Sequence, residues 1–356
     1  MKWRSALMEK NNSVDVVIIT ALQKEQQAVI KHLDKVEKVE IKNRVFYRAE
    51  VLHENGQGSY SVVLLSLPGM GNVQASIAAT QAITIWNPSQ IILTGISGGI
   101  KADANQYLGD IVVGEQIVDY ELGKIKETGM EHRYEVMRSS FPLINAARNL
   151  QPEKWVLSSK VPRPDGTTGR VIPKVHFGVV ASGQKIVANS AFLEEIRAHW
   201  SKIAAIEMEG FGIALAAFQA ETAPKMFMVK GICDWADNTK NDEWQDYAAD
   251  IAAAFVISLL KTAPFESKVD RPQAIRKDTG RHSGKSKIKL CKRLGDEWRD
   301  LADYFDIPLY HRRRFTQGRE CQDIWEWLEL RNKLDGLKDA LIEIERKDLV
   351  EDLELV

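Results

Sequence analysis

Cysteine is scarce in this sequence: three residues, Cys233, Cys291 and Cys321. An odd number without paired spacing excludes a disulfide framework and a cysteine zinc site, and fits a reducing compartment. Net charge is nearly absent, with 48 Lys+Arg against 49 Asp+Glu. No global field therefore recruits nucleic acid or an anionic membrane, and such a partner would need a local patch. Long apolar runs are missing too: no stretch approaches the roughly 18 residues of a membrane helix. The opening MKWRSALMEKNNS has no apolar centre of the signal-peptide kind. The expectation is a cytoplasmic chain with no membrane and no nucleic-acid partner.

What is present is ordinary globular material: 356 residues, 44% hydrophobic and 27% charged. That length exceeds the usual domain of about 100–200 residues, so two domains are expected. Between residues 14 and 262, short β-branched runs alternate with segments of helical period. Strands are expected at 14–20, 60–66, 90–94, 110–113, 176–181 and 226–232. Helices are expected at 24–33, 72–86, 192–199, 210–220 and 246–261. The fold class is α/β, a mostly parallel twisted central sheet flanked by helices. Residues 263–289 read as a basic flexible linker, with seven basic against three acidic residues over 264–288. Over 290–356 the pattern turns helical, with Leu294, Trp298, Leu301, Ala302 and Phe305 at steps of three and four, and makes a small all-α bundle. Arg312, Arg313 and Arg314 are clustered, whereas 332–356 holds 8 acidic against 4 basic residues. Such opposite charge suits head-to-tail docking, and a solvated surface explains it nearly as well.

Polar and glycine residues recur just after the strands, where open α/β sheets hold ligands. Thr20-Ala21-Leu22-Gln23-Lys24-Glu25 puts an acid in the first turn of a helix, where helix electrostatics alone favour it. Pro68-Gly69-Met70-Gly71-Asn72 and Thr94-Gly95-Ile96-Ser97-Gly98-Gly99 are tight turns or ligand cradles; neither has the GxxxxGK[ST] or GxGxxG spacing. Ile206-Glu207-Met208-Glu209-Gly210 carries two carboxylates on an apolar run, costly to bury without partners, of which ligand hydroxyls are one kind. The last strand ends in Cys233-Asp234-Trp235-Ala236-Asp237, where Asp237 can cap the next segment. Asp234 lies in an apolar, aromatic niche of the kind that suits a general acid. Cleaving a purine N-glycosidic bond needs a grip on the ribose hydroxyls, a base for water and an acid for the departing base. Glu25, Glu209 and Asp234 supply one carboxylate per task without a metal, and no His/Cys cluster competes for one.

Taken together and in order, IITALQKE, PGMGN, TGISGG, LGDIVV, IEMEG and GICDWAD resemble the nucleoside phosphorylase superfamily over residues 14–261. They are most similar to its 5'-methylthioadenosine/S-adenosylhomocysteine nucleosidase branch. The resemblance implies that Glu25 activates the attacking water, Glu209 grips the ribose hydroxyls with Met208 packed on the sugar, and Asp234 protonates N7 of the base. It also implies that Ser97 and Gly98 line the nucleoside pocket, with Ala21 and Gly71 as further substrate-binding residues. Two positions depart from the family: Ile186 falls near its stacking aromatic residue, and Lys230 replaces an arginine. Phosphorylases of the superfamily carry a glycine- and arginine-containing loop after the first strand; ALQKE stands there instead, so water is the expected nucleophile. No cofactor and no metal are implied.

The stretch 120–173 is long and basic, with Lys124, Lys126, Arg133, Arg138, Arg148, Arg163 and Arg170. If these face the 5' side of the ribose, a nucleotide fits; otherwise they are solvated. RLGDEWRDLADYFDIP, RRRF, QDIWEWLELR and LKDALIEIERKDLVEDLE are similar to death-like, effector-associated domains of bacterial conflict systems. That resemblance implies a homotypic death-like partner. The whole then resembles an antiviral effector, a purine nucleosidase acting on an adenine nucleoside or nucleotide, with a homodimer or higher oligomer implied by the enzyme family. A phosphate-dependent phosphorylase and a catalytically silent nucleotide sensor are the alternatives.

Overall fold

A computed structural model describes residues 13–56, 58–100, 105–127, 129–167, 171–267, 284–312, 315–329 and 333–350. The chain divides near residue 271 into two compact units. In the first, β1 (Val16–Thr20) leads into α1 (Gln23–His32), followed by β2 (Asp34–Ile41), β3 (Arg44–Leu52), β4 (Ser59–Ser66), α2 (Asn72–Trp86) and β5 (Gln90–Gly99). Next come β6 (Ile111–Asp119), β7 (Gly123–Lys126), β8 (Gly129–His132), β9 (Val136–Arg138), α3 (Phe141–Arg148) and α4 (Pro152–Val156). The unit ends with β10 (Val175–Ser182), α5 (Ser190–His199), β11 (Ile203–Glu207), α6 (Gly210–Gln219), β12 (Lys225–Asp234) and α7 (Gln245–Lys261).

The expected strands and helices of this unit are present, but the sheet departs from the mostly parallel twisted sheet that their order suggests. Strand β1 does lie parallel between β4 and β5, and β5 lies parallel to β12. From there β12 pairs antiparallel with β6, β6 parallel with β10, and β10 parallel with β11. Strand β11 then returns antiparallel to the end of β5, Ala205 opposite Gly99 and Ile206 opposite Gly98. Five strands thus close on themselves like a barrel, while β2, β3 and β4 extend the other edge as antiparallel ribbons. Strand β2, DKVEKVEI, is half exposed and largely charged, so it carries little of the apolar signal by which buried strands are read.

Closure depends on the end of β5 having almost no side chains. Gly98 pairs with Asp234 on one side and Ile206 on the other. A Cβ there would lie 2.8 Å from the Ala236 Cβ, 3.1 Å from Asp234 Oδ1 and 3.2 Å from Ile206 Cγ2. Helix α7 is buried continuously from Tyr247 to Leu260, which explains an apolar run too uniform to show one face. Its one buried acid, Asp250, accepts from His32 Nε2 at 2.9 Å, from the Ser159 hydroxyl at 2.8 Å and from Lys160 N at 2.6 Å. Burial raises the Asp250 pKa, but these hydrogen bonds outweigh it and hold the carboxyl below its usual range.

The second unit is helical: α8 (Gly284–Leu294), α9 (Trp298–Tyr304), α10 (Leu309–Arg312), α11 (Glu320–Glu329) and α12 (Leu337–Glu343), joined in part by 3-10 turns. Leu290, Leu294, Leu301, Phe305, Ile324, Leu328, Leu337 and Leu341 form its core. Of the expected linker 263–289, residues 268–283 lie outside the described ones and 284–289 belong to α8. Arg312 turns inward, donating to the carbonyls of Ile307 at 2.6 Å and Ala302 at 3.0 Å and pairing with Asp303. It is thereby committed to its own bundle; Arg313 and Arg314 lie outside the described residues. Among the described residues no helix is long and apolar enough to cross a membrane, and no group of three or more His, Cys, Asp or Glu could hold a metal ion.

Gly98→Val is expected to destabilise the protein by about 2–3 kcal/mol, since an added side chain overpacks a closed seam. Chemical denaturation and amide exchange check it. Protection should fall first at residues 98–99 and 205–206, and a variant as stable as the wild type would contradict the closure described.

Candidate active site

The carboxyl ends of β1, β5, β11 and β12 open on one cavity of about 920 Å³, within the range of small-molecule sites. Glu25, Glu209 and Asp234 all line it, as do Ala21, Ser97, Gly98, Ile186 and Met208. Gly71 and Lys230 stand behind this lining and touch Glu209. Residues expected from three distant segments therefore meet at one place.

Glu25 is 2% exposed and already well engaged. Its Oε2 accepts from Ala21 N and Leu22 N, each at 2.8 Å, and its Oε1 accepts from Ile96 N at 2.8 Å. The helix-end reading is thus correct as far as it goes: the carboxylate caps α1. The bond from Ile96 also ties it to β5. Gly95 makes that approach possible, because a Cβ would lie 2.1 Å from Glu25 Oε1.

The second carboxylate belongs to a buried ion cluster. Lys230, 1% exposed, places its ammonium 3.3 Å from Glu207 Oε2 and 3.5 Å from Glu209 Oε2. Glu207 also accepts from Glu209 N and Gly210 N at 3.0 Å, which seats the start of α6. Glu209 Oε1 accepts from Gly71 N at 3.2 Å. Burial raises the Glu209 pKa to about 7; Lys230 opposes that, and the charges of Glu207 and Glu25 add to it. For Lys230, burial pulls the pKa down, and Glu207, Glu209 and Glu25 more than reverse it, so the ammonium is retained.

Asp234 is 3% exposed, and its niche is more polar than the neighbouring sequence suggests. Oδ1 accepts from Ala236 N at 2.8 Å; Oδ2 accepts from the Cys233 thiol at 3.2 Å and pairs with Lys240. On the neighbouring strand β5, beside Cys233, the Ser97 hydroxyl, although buried, has no hydrogen-bond partner, which leaves it for a ligand.

Residues 15–263 match the family described as Phosphorylase superfamily, and residues 284–355 match Bacterial Death-like domain 3. The chain belongs to the phosphorylase superfamily. It spans about half the length of the first curated relatives it matches. One is the ATP nucleosidase Cap17 of Escherichia coli, 24% identical over 273 residues that make up 72% of this chain and 52% of that one. Another relative is the 5'-methylthioadenosine/S-adenosylhomocysteine nucleosidase of Exiguobacterium sp., 28% identical over 250 residues, 69% of this chain and 97% of that protein. Among solved structures, the Streptococcus pneumoniae MTA/SAH nucleosidase in complex with 8-aminoadenine has a TM-score of 0.56 at 20% identity, covering 70% of this chain and 99% of that one. The superfamily's fold is thus present, with its closed sheet.

Within this superfamily site, sequence reading underrated two residues. Glu207 sits two positions from Glu209 in the same acidic run, and that doubling was its signal. Lys240 lies six residues beyond Asp234 in a polar loop and has none. Among the described residues, no basic side chain of 120–173 lines the cavity. Arg148 pairs with Glu115, Arg163 pairs with Asp165 and lies over Trp244, and Lys126 pairs with Glu131; Arg170 is outside the described residues. The cavity's lysines are Lys24, Lys31, Lys185 and Lys240.

The elevated Glu209 pKa has a stability consequence. Relative to an ordinary carboxyl near 4.5, a folded-state value of about 7 means that wild-type stability falls as pH rises from 4.5 to 7. Glu209→Gln lacks this loss and should be more stable than wild type at pH 8, converging with it below pH 4.5. Denaturation at the two pH values checks this, and a wild type at least as stable at pH 8 would contradict it.

Proposed function

We propose that residues 14–262 form a purine N-glycosidase that hydrolyses adenine nucleosides or nucleotides. Convergence of Glu25, Glu209 and Asp234 on one cavity is the observation that carries this reading. The relatives, nucleosidases by name, support it. In the proposed reaction Glu209, with Ser97 nearby, binds the ribose hydroxyls; a pKa near 7 lets its carboxyl act as acceptor or donor at neutral pH. Glu25 orients the attacking water and takes its proton. Asp234 serves the purine N7, so that the base departs neutral. Met208 and Ile186 supply the apolar wall for sugar and base.

Water is favoured over phosphate by a local feature. The N-terminal end of a helix attracts anions, but just before α1 the Ala21 and Leu22 N–H groups already bind Glu25. A second anion there would face a carboxylate. Lys24, Lys31 and Lys185 on the cavity wall suit the phosphates of a nucleotide, although Lys24 also contacts Asp246 and Lys185 pairs with Glu121. The death-like domain then serves as a homotypic docking module, which makes the chain a cytoplasmic effector of antiviral defence.

A dimer is part of the same proposal. Val73 and Ile77 stand one turn apart on α2, 62% and 48% exposed, with Met70 at 46% just before the helix. They form an apolar row beside the cavity. Light scattering should give a dimer for the wild type and a smaller species for the Val73→Glu, Ile77→Glu double variant; equal masses would contradict this interface.

Adenine release from ATP, AMP, adenosine and methylthioadenosine, followed by chromatography, tests the activity. Expected are free adenine and a sugar without added phosphate, and a loss of at least about 10²-fold in Glu209→Gln. No release from any substrate, with the partner or without it, would remove the proposal. A strict phosphate requirement would make the enzyme a phosphorylase, and binding without turnover would make it a sensor.

A further inference from the structure

The acid assigned to the departing base is held by a lysine to which the scheme above gives no task. Asp234 Oδ1 is taken by Ala236 N, and Oδ2 by the Cys233 thiol and the Lys240 ammonium. Burial first, and then the Asp234 charge, push the Cys233 thiol up, so the sulfur keeps its proton and remains a donor. Lys240 belongs to the exposed loop between β12 and α7, yet its side chain turns into the cavity wall. That side chain is 30% exposed, against 2% for Asp234. The loop is braced for this: the buried Asp237 accepts from Thr239 N at 2.8 Å and from the Thr239 hydroxyl at 2.5 Å, and the Asp237 carbonyl accepts from Lys240 N at 3.2 Å. Within this group Lys240 touches both the buried carboxylate and solvent.

We propose that Lys240 is a positioning residue for leaving-group protonation: it orients Asp234 and supplies the proton that the base removes. The inference rests on the glycosidase reading of the site. As the C1'–N9 bond breaks, its electron pair stays with the base. In the ion pair the proton is on Lys240; as negative charge develops on the base, the Lys240 Nζ–H bond breaks to protonate Asp234 Oδ2, the Oδ2–H bond breaks as that proton passes to N7, and the neutral amine takes a proton from solvent. The proton of the attacking water goes to Glu25. A buried carboxylate cut off from bulk water needs such a route to a proton, and a lysine that reaches the surface provides one.

Leaving groups separate this role from a structural one. Adenine needs a proton to depart, whereas the nitrophenolate of 4-nitrophenyl β-D-ribofuranoside does not. On the adenine substrate that the wild type cleaves, Lys240→Met should lower kcat by about 10²-fold, and on the nitrophenyl riboside by no more than about threefold. Asp234→Asn should show the same split, and Lys240→Arg should recover part of the loss. On the adenine substrate alone, added ethylammonium should restore turnover to Lys240→Ala. Equal losses on both substrates, no loss on either, or no amine rescue would overturn the inference. A wild type that cleaves neither substrate would remove the glycosidase reading and this inference with it, a failure recognisable because it lies in the wild type.

Discussion

One buried ammonium governs the centre of the molecule. Lys230 lies beneath the cavity with Glu207 and Glu209 around it, and none of the three could be buried alone at acceptable cost. Glu207 uses its remaining capacity to hold the start of α6, so the same cluster that sustains the buried Glu209 carboxyl also fixes the helix beside it. A lysine brings a point charge and not a planar fork. One ammonium shared between two carboxylates leaves Glu209 incompletely compensated, which is consistent with its raised pKa.

The fold explains how acids so far apart in sequence become neighbours. Parallel strands deliver their carboxyl ends to one side of the sheet, and the closure of β11 onto β5 brings Glu207 and Glu209 toward Ser97 and Asp234. Gly98 is the point of contact, paired on both flanks at once. Glu25 depends on the same strand, since Ile96 N holds one of its oxygens. Small residues in β5 thus serve closure and the seating of Glu25 together.

Much of this was legible in the sequence because buried parallel strands are written as apolar, β-branched runs. The segments at 90–94 and 226–232 announced β5 and β12, and the helix expected at 72–86 is α2 residue for residue. The acids at the strand ends were legible too, each having an ordinary structural explanation that only their common order outweighed. The closed, mixed sheet was not legible. Pairing Ala205 with Gly99 is a long-range event with no local signature, and the charged β2 hides as a polar segment. Lys240 was missed for the same reason: its significance comes from where a loop folds back, not from its neighbours in sequence. For Arg148 and Arg163 the nucleotide alternative is not the one found, since their charge is answered by nearby acids and aromatic rings.

A crystal structure with formycin A, an adenosine analogue whose C-glycosidic bond resists hydrolysis, would be decisive. The ribose hydroxyls should meet Glu209, the N7 side of the base should face Asp234, and a water held by Glu25 should lie opposite the base at the anomeric carbon. A ligand bound elsewhere, or one in this cavity with its sugar out of reach of Glu209, would contradict the convergence of three acids on a single nucleoside.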